Sequence, residues 1–166
     1  MSVQLIIANL EKLEKMHKSL LELAYKKTEL VKKGNMEELD EMLKNEQSHV
    51  AAIELLEKQR QQMVTDYLRA KGIALAGTPT VADVINAADV IEERETLEKV
   101  RTSLLSTINE VKQQNALNQK LVYQSLQVVN ATLNILQPQS EEINYSGNAV
   151  RRDYTAAKKS LFDSQA

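Results

Sequence analysis

The sequence predicts an all-α protein: an elongated antiparallel helical hairpin, one long third helix packed on it as in a three-helix bundle, and a flexible C-terminal tail. Three observations carry this reading. Apolar residues recur at steps of three and four along most of the chain. Only four Gly and two Pro are spread over 166 residues, so regular elements must be long. Aromatic residues make up just 4%, with one Phe and no Trp, which leaves Leu, Ile, Val and Met to form a core.

The first helix spans 3–33. Val3, Ile6, Leu10, Leu13, His17, Leu20, Ala24, Lys27 and Val31 trace a heptad seam, in which only His17 and Lys27 are polar. Lys32 and Lys33 suit the negative helix end, and Gly34 supplies the stop. Asn35 opens the second helix, 35–71, with Glu38 three residues on in capping-box spacing. Its stripe runs through Leu39, Met42 or Leu43, Val50, Ile53, Leu56, Met63 and Tyr67. So short a turn folds the two helices back as an antiparallel hairpin.

Residues 72–88 read as the main loop, holding Gly72, Gly77 and Pro79, with a short helical turn from Thr80 and Asp83 as its capping partner. Asp89 with Glu92 reads as a capping box opening the third helix, 89–137. No Gly or Pro intervenes until Pro138. Such a helix is roughly 70 Å long, against roughly 40 Å across for a compact domain of this size. The molecule is therefore expected to be elongated, with 1–137 as one helical domain and 138–166 as a mobile tail poor in periodic apolar residues.

Composition excludes several functions. Without Cys, disulfides, zinc knuckles and thiol catalysis are ruled out. The formal net charge is −2, from 21 basic and 23 acidic residues, which gives no basic face for nucleic acid. No run approaches the roughly 18 apolar residues of a membrane span, so no membrane insertion is expected. The opening MSVQLIIANLEKLEK lacks the basic start of a secretory signal, so a cytoplasmic protein is expected. The sequons at Asn130 and Asn144 then carry no weight. No Gly-rich phosphate loop or nucleophile elbow occurs, and the expectation is a non-enzyme with no cofactor.

One pattern does invite chemistry. Glu14-x-x-His17 and Glu46-x-x-His49 fall at nearly the same level of the hairpin, in the spacing used by carboxylate-bridged metal bundles. Such a site also needs glutamates from two further helices, and only one further long helix is available. A polar layer within the seam is the competing reading, and it is the one adopted, with no metal site.

The third helix is the most informative element. Leu97, Val100, Leu104, Ile108, Val111, Asn115, Asn118, Val122, Leu126, Val129, Leu133 and Leu136 form one stripe. Asn115 and Asn118 interrupt it, as residues that specify register or mark a change of packing partner. Beyond them a second row, Leu117, Leu121, Val128 and Ile135, widens the apolar surface to about half the circumference. The shorter hairpin leaves that end uncovered. Three occupants are open: a partner helix, a second copy of the chain in a homodimer, or the loop after Gly72 folding over it.

The stretch NALNQKLVYQSLQVVNATLNILQP, Asn115 to Pro138, resembles the Asn- and Leu-rich C-terminal helix of the FlgN family of bacterial flagellar export chaperones, with its N-x-x-L-x-x-x-S-L pattern and closing proline. Asn144-Tyr145-Ser146-Gly147 resembles the tyrosine–glycine element that follows, although Ser146 separates two residues that relatives commonly have adjacent. The ending from Leu161 to Ala166 is similar to the short terminus of many relatives. The resemblance implies a chaperone that binds the hook-associated proteins FlgK and FlgL, covers their terminal helices and delivers them to the export gate. It makes Leu117, Leu121, Val122, Leu126, Val129, Leu133 and Leu136 the expected client contacts, and Tyr145 the docking residue for the cytoplasmic domain of the gate protein FlhA. The alternatives left by the residues alone are a coiled-coil dimerisation or adaptor protein and a ferritin-like metal bundle.

Overall fold

The computed structural model describes residues 2–136, which form four helices and, among those residues, no strand: α1 (Val3–Lys33), α2 (Met36–Ala70), α3 (Val81–Ala87) and α4 (Ile91–Leu136). The tail expected at 138–166, with Pro138 and Tyr145, lies outside the described residues.

Local chemistry sets each boundary. Ser2 caps α1 by accepting from the Gln4 amide. At its other end Gly34 adopts φ 69°. Its amide donates to Val31 and that of Asn35 to Leu30, the paired bonds of a Schellman stop. Asn35 then caps α2 through the Glu38 amide at 3.3 Å. α2 ends in a second stop of the same kind, with Gly72 at φ 71° and the Ile73 amide donating to Leu68. The capping box expected at Thr80 and Asp83 is present in both directions, and the bonds from the Thr80 amide and hydroxyl hold the Asp83 carboxyl below the usual carboxylate range.

The capping box expected at Asp89 is not formed. Lys71 takes the Asp89 carboxylate in an ion pair across the loop, which lowers the Asp89 pKa and raises that of Lys71. α4 begins two residues later, at Ile91, with Glu92 and Glu93 placed against its positive end.

α1 is the central helix. α2 runs antiparallel along one side and α4 parallel along the other, while α3 bridges α2 and α4. The backbones of α2 and α4 do not pack directly on each other. A helix with two neighbours buries more than one seam, so Ile7, Asn9, Leu23 and Thr28 join the expected heptad positions inside. The core gathers Ile6, Leu10 and Leu13 of α1, Val64 and Leu68 of α2, Val84 of α3 and Leu97 of α4. It sits toward the α3 end. In α2 the expected stripe position Val50 is 43% exposed. Its neighbour His49 turns inward instead and accepts from the Ser19 hydroxyl at 2.8 Å.

Candidate client-binding surface

Ser103 of α4 donates to Glu14 of α1 at 2.7 Å, and further along Gln114 and Asn118 bond to Thr28. These pairs fix a parallel register in which the end of α1, Lys33, comes level with about residue 123 of α4, counting one residue per residue. The last hydrogen bonds between the two helices converge on Thr28 and Ala24. Asn118 is buried, donates from Nδ2 to the Ala24 carbonyl at 2.8 Å, and accepts from the Thr28 hydroxyl at Oδ1. Gln114 Nε2 donates to the same hydroxyl at 2.6 Å. Asn115 is only half-buried and lines a groove beside it. Asn118 thus takes the register-fixing role and Asn115 the boundary role.

Beyond Asn118 the face of α4 that lay against α1 simply continues. At 100° per residue, Val122, Val129, Leu133 and Leu136 stay within the arc occupied by Leu97, Leu104, Val111 and Asn118, and Leu126 lies about 20° beyond its edge. Here the face is bare: Val122 is 39% exposed, Leu126 56%, Val129 52%, Leu133 51% and Leu136 72%. Of the second row, Leu117, Val128 and Ile135 are exposed and Leu121 is half-buried. No charged side chain occurs from Leu121 to Leu136. Among the described residues nothing covers this surface, and the loop after Gly72 lies at the opposite end of the molecule, against Leu68 and Asp83. That removes the third occupant considered from the sequence.

Where α4 leaves the hairpin, a groove of about 490 Å³ opens, walled by Val122, Tyr123 and Leu126 on one side and Lys27 and Glu46 on the other. Lys27 and Glu46 form a half-buried ion pair at 2.8 Å that ties α1 to α2. Sequence reading missed this pair and Tyr123. Lys27 stood out only as a charge in the seam, and Glu46 was read with His49.

The two Glu-x-x-His motifs do not converge. Glu14 turns to Lys18 at 2.6 Å and to Ser103, and hydrogen bonds from these two hold its pKa below the usual glutamate value. The Nδ1–H of His17 donates to the Leu13 carbonyl at 2.8 Å, and that of His49 to the Asn45 carbonyl at 2.9 Å. Among the described residues no three His, Asp or Glu side chains gather as a metal site would require. Nor is any helix there long and apolar enough to cross a membrane.

A hairpin with one helix overrunning it and leaving its apolar face bare is shared by many proteins, so the fold alone names none. The family model for the FlgN protein matches residues 1–152, which include the hairpin, the loop, all of α4 and the Asn144–Gly147 segment. The chain belongs to the FlgN family. FlgN proteins are a family of flagellar chaperones, not an enzyme family. The chain is also 31% identical to the Bacillus subtilis protein named "Uncharacterized protein YvyG", over the full length of both. No solved structure matches it.

Proposed function

We propose that this FlgN-family chain is a cytoplasmic export chaperone whose clients are the hook-associated proteins FlgK and FlgL. One observation carries the reading: the α1-facing stripe of α4 runs on for four turns after α1 has ended. A client supplies an amphipathic helix that takes the place of α1 along Val122, Leu126, Val129, Leu133 and Leu136 and also reaches Leu117 and Leu121 of the second row. The Lys27–Glu46 pair at the groove end gives that helix a polar stop. Because the surface is a single helix face, affinity stays moderate and the cargo can be released. Delivery to the type III export gate uses Tyr145, nine residues after Leu136 in the sequence, on the cytoplasmic domain of FlhA. A tyrosine serves there by burying its ring while its hydroxyl keeps a partner.

A photoreactive side chain in place of Val129 tests the site. It is expected to cross-link FlgK or FlgL, whereas the same group at Leu55, an equally exposed apolar position on α2, is not. Equal labelling from both positions contradicts the assignment. Tyr145→Ala is expected to leave client binding intact and to weaken the FlhA contact alone.

A further inference from the structure

We propose that the client seats two helices on α4, one in the place of α1 and a second along Leu117, Leu121, Val128 and Ile135. This rests on the client site proposed above and adds a second seat to it. The molecule itself shows how wide a stripe each neighbour covers. α1 lies between α2 and α4, and its buried residues, from Leu23 round to Ile7, spread over about 200° at 100° per residue. α4 has α1 as its one long neighbour, and there its core-facing apolar residues, Leu97, Val100, Leu104, Ile108 and Val111, spread over only about 80°. Past Asn118 the first row, from Leu136 round to Leu126, again spans about 80°, which suits one helix. With the second row the apolar surface spans about 180°, close to what α1 needs two neighbours to bury.

The direction of the second row is charged elsewhere on α4. Beside the hairpin it is held by Glu92, Lys99 and Glu110, all exposed. It turns apolar at Leu117, as the hairpin runs out. A single helix in the place of α1, reaching Leu117 and Leu121 at its end, leaves Val128 and Ile135 in water. Between the two rows stand Ser125 and Thr132, whose hydroxyls donate to the Leu121 and Val128 carbonyls at 2.9 Å. The strip between two seated helices therefore buries no unpaired hydroxyl. Four apolar side chains fall far short of the roughly 20–30 residues a side in a stable interface, so this row does not hold a separate protein or a second copy alone. A helix joined by a short turn to one already seated arrives at an effective concentration on the order of millimolar. The occupant is thus a second amphipathic helix of the same client.

The test places a photoreactive side chain at Val129 or at Val128, about 100° apart on α4, in the full chain bound to FlgK or FlgL, and maps the cross-links by mass spectrometry. The two positions are expected to label two client segments separated by a turn. Labelling of one and the same helix from both positions, or from Val129 alone, overturns the second seat and leaves the client site standing. A cross-link from Val128 to another part or a second copy of this chain also overturns it. No label on the client from either position overturns the client site, and the second seat falls with it.

Discussion

Asn118 shows how much a single side chain decides. It occupies a stripe position that Leu would fill, yet its two polar atoms are both matched across the α1–α4 interface, to Ala24 and Thr28. Asn118→Ala removes both cross-helix bonds of the amide, leaves the Thr28 hydroxyl with Gln114 and the Ala24 carbonyl, and is expected to lower stability by about 1 kcal/mol in denaturant unfolding. Asn9 is the contrasting case. Its Nδ2 reaches the Leu56 carbonyl at 3.4 Å, but its buried Oδ1 has no partner among the described residues. Asn9→Leu should therefore stabilise, by about 1 kcal/mol on the same assay. The lowered pKa values of Glu14 and Asp83 give a pH dependence of definite sign. Folding favours their ionised forms, so the contribution is complete above the ordinary values of 4.5 and 3.8 and is lost as pH falls through the lower folded-state values. Glu14→Gln should flatten the acid limb of a stability–pH curve below about pH 4.5, and an unaltered limb would show that Ser103 and Lys18 do not favour the ionised group.

At the scale of elements, what was legible in the sequence is what local chemistry determines. Gly34, Asn35 and the Thr80–Asp83 pair act on their own neighbours, and each bounds a helix as its residue type dictates. Gly34→Ala must hold φ near 69° against its Cβ and should cost about 1 kcal/mol, read from thermal unfolding. Asp89 misled because its capping role competes with a long-range partner. Lys71 is 18 residues away and is brought near only by the finished loop. The same limit hid the Lys27–Glu46 pair, whose members lie on different helices. It also hid the second buried face of α1, since periodicity reveals a stripe but not how many helices share it. Val50 and His49 differ by one residue, and packing against Ser19 decided between them.

At the scale of the whole molecule, unequal helix lengths create the surface. α4 has 46 residues and α1 has 31, so with their starts nearly level α4 overruns by about 20 Å. The sequence made this visible through the two apolar rows after Asn115. It could not show that the stripe faces α1 rather than α2, or where along it α1 ends, because both depend on register, which Ser103–Glu14 and Asn118–Thr28 set in three dimensions. The chain thus presents a helix with its α1 neighbour missing, and the proposed client helix would complete the packing that α1 begins. The most direct test is the affinity of a FlgK or FlgL terminal-helix peptide for the chain and for Leu126→Asp/Val129→Asp, alongside circular dichroism. Both positions already face solvent, so helical content should not change, while two carboxylates in the interface should weaken binding by at least about 100-fold, or about 2.7 kcal/mol. Undiminished affinity in a fully helical variant would contradict the assignment of α4 as the client site.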